Sequence, residues 1–350
     1  MVSRWKRWCC VVLLYVSVFL GIVVIVNYCV DQLWCFDHPI SCGRYQTGFE
    51  ERQQKTNWLT FHYSDFDTIV IGDSRLTYLD PFYLPGKAFN YSASSLKAWE
   101  YPEYLEYFAE RNKFPVNRVI LGFSFFQTNR SFQDGHERPS WYIENAKSPG
   151  YRYRSLVDMS LFVYSLKAIK RDFTGDIQDQ YLRVQNGKFF REMVLPVGEK
   201  QYLMNVESQV AIYRDVLYGG NYSYSDNREI YREIKKIFPK ARFAVFVTPV
   251  SSHLLKVLAE EGRMDQYENW ISGLVEEFGH VWNFMYFNEV TLDESHYKDA
   301  HHFSPEIACV IAKRILGETL DKYPDFGLKI TEENLSDTLF FLRENFKKNL

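Results

Sequence analysis

The sequence predicts a mixed α/β fold: a mostly parallel sheet with helices on both faces, preceded by one N-terminal transmembrane helix. Three observations predict it. Apolar runs rich in β-branched or aromatic residues recur at 68–71, 118–126 and 241–249, and each reads as a buried strand. Amphipathic helical stretches separate these runs, and strand–helix alternation is the pattern of a parallel sheet. Ahead of them all, residues 9–30 carry no charge over 22 positions. At about 1.5 Å rise per residue, such a run is long enough to cross a bilayer core.

In chain order, residues 1–8 form a short basic N-terminus with Arg4, Lys6 and Arg7, and residues 9–30 form the anchor. Asp31 and Asp37 follow the span. The positive-inside rule places the N-terminus in the cytoplasm and everything beyond about residue 31 outside, periplasmic or extracellular. No small-x-small cleavage site follows the apolar run, so an uncleaved anchor is expected. Residues 31–63 read as a polar stem. Within it Cys35 and Cys42 bracket a turn-forming stretch and are expected to pair in an oxidising compartment, with Cys29 a competing partner.

The main domain is expected over 64–325. After the strand ending at Ile71, a helix is expected over 95–111 and a strand over 118–126. A loop follows over 127–153, then a helix over 154–170. Residues 172–205 lack periodicity and read as an insertion. A helix at 226–238 stops before Pro239, and the strand at 241–249 ends in a Thr-Pro turn. One long helix over 252–278 and a strand over 281–287 complete the alternation. The tail, 326–350, aligns Leu335, Leu339, Leu342 and Phe346 on one helical face.

Composition narrows the function classes. Hydrophobic residues make up 46% and charged residues 24%, as in an ordinary folded chain. The net charge of −3 gives no broad footprint for nucleic acid. Aromatics reach 17%, enough to line a carbohydrate- or lipid-facing groove or to thicken a core. A phosphate- or nucleotide-binding domain is disfavoured, because no glycine-rich loop follows any strand.

Two short segments carry chemistry. Gly72-Asp73-Ser74 ends the first strand, at the C-terminal mouth of the sheet, where open α/β folds build their sites. Far downstream, Asp299-Ala-His-His302 precedes a helix that starts at Pro305. A serine hydroxyl needs a base within hydrogen-bond reach to act as a nucleophile. Ser74 is therefore assigned as nucleophile, His302 as base and Asp299 as the group that orients the imidazole. Arg75 either holds an anionic substrate group or makes a structural ion pair. Asp293 and His296 repeat the Asp-x-x-His spacing but are assigned to the loop before the site. His296, Asp299, His301 and His302 lack the closed spacing of a zinc site, and neither metal nor other cofactor is expected.

At these residues the chain resembles the SGNH/GDSL hydrolase superfamily, and more narrowly its membrane-anchored bacterial envelope members. Ile71-Gly-Asp-Ser74 is similar to the family's first block, and Asp299-Ala-His-His302 with Phe303-Ser-Pro-Glu-Ile-Ala308 to its last. The stretch from Phe49 to Lys55 is similar to the lead-in of anchored members. The resemblance spans about residues 50 to 320 and implies a three-layer α/β/α fold and a serine esterase or O-acyltransferase. The middle blocks depart. The second lacks its glycine, leaving a backbone N–H of Ser92 or Ser95 for the oxyanion. The third has Ser124 where the family has an asparagine donor, and Asn129 stands too far along to replace it.

The resemblance implies an acylated cell-envelope glycan or lipid-linked substrate, processed through an acyl-enzyme at Ser74. The alternative is a non-catalytic glycan-binding or scaffold protein with partners in an envelope complex.

Overall fold

The computed structural model describes residues 2–38, 42–47, 50–175, 181–186, 189–194 and 198–350. Along the chain run α1 (Val2–Val30), β1 (Tyr45–Thr47), α2 (Glu51–Phe61), β2 (Thr68–Ile71), β3 (Ala88–Asn90), α3 (Tyr101–Arg111) and β4 (Arg118–Phe123). Next come α4 (Pro139–Lys147), α5 (Tyr151–Arg154), α6 (Met159–Thr174), β5 (Tyr181–Asn186), β6 (Phe189–Val194), α7 (Glu199–Ile212) and α8 (Arg228–Ile237). The rest is β7 (Arg242–Val247), α9 (Ser252–Glu260), α10 (Met264–Phe278), β8 (His280–Asn283), α11 (Glu289–Leu292), α12 (Pro305–Ile315), β9 (Leu328–Thr331) and α13 (Leu335–Asn349). Contacts divide these elements into two compact units, one of residues 1–63 with 140–193, the other of 64–139 with 194–350.

The first unit carries α1, whose segment from Arg4 to Val30 is long and apolar enough to cross a membrane. Near its C-terminal end, Val23, Asn27 and Val30 turn inward and are buried. The Asn27 amide donates to the carbonyls of Leu156 and Asp158 at 3.0 and 3.1 Å, and the Ser165 hydroxyl donates to its Oδ1 at 3.0 Å. Residues 140–193, read from sequence as a loop, a helix and part of an insertion, pack here. Position 158 sets the start of α6. The Asp158 carboxylate caps the Ser160 and Leu161 N–H groups at 2.7 and 3.0 Å, which ends the preceding turn and begins a new helix. A small sheet in the order β1-β5-β6 completes the unit.

Cys35 and Cys42, expected to pair, are not joined by a disulfide. Cys35 points into a cluster with Leu33, Phe36 and Leu161, and burial pushes its thiol well up. Residues 39–41 between the two cysteines, Phe49 of the lead-in, and 176–180, 187–188 and 195–197 of the expected insertion lie outside the described residues. The described part of that insertion supplies β5, β6 and the start of α7.

The second unit is built on a six-stranded sheet in the order β3-β2-β4-β7-β8-β9. Five strands run parallel, and only β9 is antiparallel, to β8. Strands β2 and β4 read as continuous apolar runs because they are buried on both faces. The expected helix at 252–278 is two helices: Gly262 adopts φ +67° and closes the first with its N–H on the Ala259 carbonyl at 2.9 Å. The tail begins with β9 before its helix, which buries Leu342 and Phe346.

The aromatic residues go largely into the core. Phe123 stacks on Tyr101 at 5.3 Å and meets Tyr231 at 5.1 Å, while Phe125 packs among Tyr218, Tyr222, Tyr267 and Trp270. Each such pair adds about 0.5–1.5 kcal/mol beyond the area it buries.

Two glycines shape the mouth of the sheet. A Cβ at Gly72, just after β2, would lie 2.5 Å from Leu76 Cδ2, and one at Gly122 in β4 would lie 2.3 Å from the same atom. Leu76 is thus the plug that lets the chain turn back over the strand ends. Gly122→Ala is expected to cost roughly 1–3 kcal/mol from overpacking. Combining it with Leu76→Ala should cost less than the sum of the two single changes, as measured by denaturant unfolding. Additive losses would show that Leu76 is not the clashing group.

Candidate active site

The site lies in the second unit, at the C-terminal ends of β2, β3 and β7. Ser74 follows β2 on the turn opened by Gly72. Its hydroxyl oxygen is 2.8 Å from His302 Nε2. The other ring nitrogen, Nδ1, is 2.7 Å from Asp299 Oδ2. Ser74, His302 and Asp299 therefore form one continuous hydrogen-bonded relay, half-buried at the serine and buried at the aspartate.

The histidine comes from a short closed loop. Tyr297 and Phe303 form an isolated bridge, the Lys298 N–H donates to the His302 carbonyl at 3.1 Å, and Ser304 N–H donates to the His296 carbonyl at 2.7 Å. Inside it, Asp299 Oδ1 accepts from the N–H groups of both His301 and His302, at 3.0 and 2.7 Å. One carboxylate thus shapes the loop with one oxygen and holds the imidazole with the other. Pro305 opens α12, as the sequence suggested, and Ser304 caps it. From outside the loop, the Gln209 side chain on α7 accepts from Ala300 N–H at 2.8 Å, and Ser251 N–H donates to the Ala300 carbonyl at 3.0 Å.

Burial disfavours the charge on Asp299, but His302, His301 and the hydrogen bonds from His302 outweigh it and hold this carboxyl well below the usual range. It is therefore an anion at any working pH. His301 is pushed well below the ordinary histidine value by burial and by His302. Lys298 is brought down to about 7 by burial, against the pull of Asp299.

Arg75 is a brace. It is 1% exposed, and its guanidinium meets four chain segments. It donates to Asp73 Oδ2 at 3.4 Å, Thr248 Oγ1 at 3.2 Å, Tyr213 Oη at 2.5 Å and the His301 carbonyl at 3.1 Å. Of the two roles expected for Arg75, the ion pair is present, with Asp73 Oδ2 at 3.4 Å. Tyr213 opens a π-helical turn, Tyr213–Leu217, whose wider ring is closed by Tyr218 N–H on the Tyr213 carbonyl at 2.8 Å. Nothing in the sequence pattern signals that turn.

The expected oxyanion donors separate. Ser124 is 1% exposed, its hydroxyl bonds Thr248 Oγ1 at 2.7 Å, and its N–H donates to the Gln127 side chain at 3.1 Å. It belongs to the scaffold under Arg75 and supplies no donor to the mouth. Asn129 is likewise tied down, its amide on the carbonyls of Val216 and Leu217. Ser92 is fully buried with its N–H on Asn90 Oδ1 at 3.0 Å, which removes it as a donor. Ser95 remains. It sits at φ +54°, the left-handed region where glycine is usual, so its backbone does what a glycine there would do. The Ala93 N–H on the Gly72 carbonyl, 3.1 Å, lays this loop beside the Ser74 turn. Neither Ser74 N–H nor Ser95 N–H has a partner among the described residues.

The ligand atoms of Asp299, His301 and His302 lie within 4.8 Å of one another, a cluster that meets the distance requirement of a metal site. As arranged, both ring nitrogens of His302 are engaged by Ser74 and Asp299. His296 stands apart from the relay, with Nε2 2.9 Å from the Tyr323 hydroxyl and 3.5 Å from Asp293. Comparison with models of known protein families and with curated proteins gives no match.

Two outcomes follow from this geometry. Arg75→Met leaves Asp73 as a buried, unpaired charge and is expected to destabilise the chain by about 3–5 kcal/mol in denaturant unfolding. Arg75→Lys should rescue little, because an ammonium cannot reach the same four acceptors. Full stability in Arg75→Met would remove the brace.

The second outcome concerns pH. His301 has a lowered folded-state value, so its neutral form is favoured in the native state. Its contribution is present above the ordinary histidine value of 6.5 and is lost as pH falls below it, where only the unfolded chain takes the proton. The midpoint of thermal unfolding should fall below about pH 6.5 in the parent, and His301→Gln should flatten that slope. An unchanged slope would assign the acid sensitivity to other groups.

Proposed function

We propose that the chain is a membrane-anchored serine esterase or O-acyltransferase of the SGNH type, with a three-layer α/β/α catalytic domain outside the cytoplasm. The single observation that carries this reading is the relay Ser74–His302–Asp299, with both links at hydrogen-bond length. The left-handed backbone at Ser95 supports it, since it restores a donor position where the resemblance has a glycine.

In this mechanism His302 Nε2 takes the Ser74 proton as Oγ attacks the acyl carbonyl. Asp299 stabilises the imidazolium through Nδ1. The oxyanion forms against the N–H groups of Ser74 and Ser95, and each such donor is worth roughly 100–1000-fold in rate. His302 returns the proton to the leaving sugar hydroxyl, and the acyl group stays on Ser74 as an ester. A water or a second sugar hydroxyl, deprotonated by His302, then attacks that ester and frees the serine.

The substrate class proposed is an acylated glycan of the cell envelope or a lipid-linked precursor of it, reached from an anchor at 9–30. Arg4, Lys6 and Arg7 on the N-terminal flank favour a cytoplasmic N-terminus. One observation favours the alternative of a non-catalytic glycan-binding or scaffold protein: Ser124, at the position of the family's asparagine donor, is turned into the scaffold.

The triad distinguishes the two. Ser74→Ala and His302→Ala should each lower turnover of acyl esters by about 10⁴-fold or more, and the double variant should be no worse, because the members work as a unit. Asp299→Asn should lose less. Equal turnover by the parent and Ser74→Ala, with folding intact, would leave the scaffold reading.

A further inference from the structure

Helix α6 of the first unit presents two different faces. Leu161, Ser165 and Ala168 are buried against the unit. On the other side Met159, Val163, Leu166 and Phe173 are 46, 48, 45 and 85% exposed, with Phe162 partly covered beside them. The spacing 159, 162, 163, 166, 173 places all of them along one helical stripe. Val157, in the turn before α6, is also 50% exposed. Lys167 stands exposed beside the stripe, and Lys170, four residues after Leu166, stands exposed in line with it before Phe173. A contiguous apolar strip of this kind is normally covered by something.

Its place against α1 says what covers it. Asn27, three residues before the end of α1, is hydrogen-bonded to Leu156, Asp158 and Ser165 at the start of α6. From there the Phe162 ring reaches back along α1 to meet Phe19 edge-on at 6.4 Å. Phe19 lies eight residues before Asn27, about 12 Å along the helix axis. Around it Val18, Phe19, Ile22 and Ile25 are themselves 54, 48, 49 and 63% exposed. The medium that bathes this part of α1 is therefore the medium that bathes Phe162 and its neighbours.

We infer that α6 is a second, interfacial membrane contact: Met159, Phe162, Val163 and Leu166 enter the acyl-chain boundary of the leaflet from which α1 emerges, and Lys167 and Lys170 lie at the phospholipid phosphates. This rests on the reading of α1 as a membrane anchor. The polar hydrogen bonds of Asn27 then sit at the interface, and about 18 uncharged residues, 9–26, remain for the hydrocarbon. Lys167 beside the stripe and Lys170 beyond Leu166 place their stems on apolar surface and their ammonium groups at the headgroups. An amphipathic helix lying at this depth is the usual form of such a contact. A single helix leaves the first unit free to swivel about its axis. A second contact, spread along the 16 residues of α6, holds that unit against the lipid surface.

The test uses the full chain, with native cysteines replaced, in phosphatidylcholine/phosphatidylglycerol vesicles. Spin labels are placed by Val163→Cys and Leu166→Cys on the stripe, by Ser160→Cys on the polar side of the same helix, and by Leu14→Cys in α1. Collisions with oxygen, which concentrates in lipid, are compared with collisions with a water-soluble nickel complex. The expected result is an oxygen-to-nickel ratio several-fold higher at 163 and 166 than at 160, approaching that at 14. A lipid-like ratio at 14 with water-like ratios at 163 and 166 would overturn the interfacial helix and leave the anchor standing. Water-like ratios at all four positions would overturn the anchor, and this inference with it.

Discussion

A buried guanidinium ties together the segments that carry Ser74 and His302. Arg75 follows the proposed nucleophile directly in sequence, yet its side chain turns away from the mouth and into the unit. There it meets Asp73 on its own turn, Thr248 beyond β7, Tyr213 on the π-helical turn and the His301 carbonyl in the histidine loop. The serine and the histidine lie 228 positions apart in the chain, and one side chain reaches both of their segments. A buried charge of this kind is costly unless every donor is matched. The requirement explains why Thr248, Ser124 and Tyr213 are polar in an otherwise apolar floor.

The loop that carries His302 is held as firmly. Asp299 closes it from inside, with one oxygen on two backbone N–H groups and the other on the imidazole. Gln209 and Ser251 hold Ala300 from the two sides. Orientation of the base is thus a property of the loop's own hydrogen bonds. Changing Asp299 would alter the loop as well as the charge beside the ring.

Strands β2, β4 and β7 of the second unit were legible in the sequence, because they are largely buried and carry apolar runs. The relay was legible because Ser74 ends such a strand and His302 precedes a helix marked by Pro305. The rest depended on contacts that no local pattern encodes. Arg75 was left between a substrate contact and a structural ion pair, since nothing near it in sequence announces Tyr213 or Thr248 as partners. Ser124 looked like a substitute donor because its position matched, whereas its side chain faces inward. Ser95 carries a left-handed backbone without the glycine that would have signalled it. In the first unit, α1 was plain from its apolar run, but the packing of α6 against it turns on Asn27, a polar residue inside an uncharged stretch.

The central claim is that Ser74 is a nucleophile activated by His302, and the most direct measurement is covalent. The detergent-solubilised full chain is treated with a fluorophosphonate, and the adduct is located by intact mass and peptide mapping. The account predicts one adduct, on Ser74, absent from Ser74→Ala and strongly slowed in His302→Ala. A folded chain that takes up no label, or that labels equally well without His302, would contradict it.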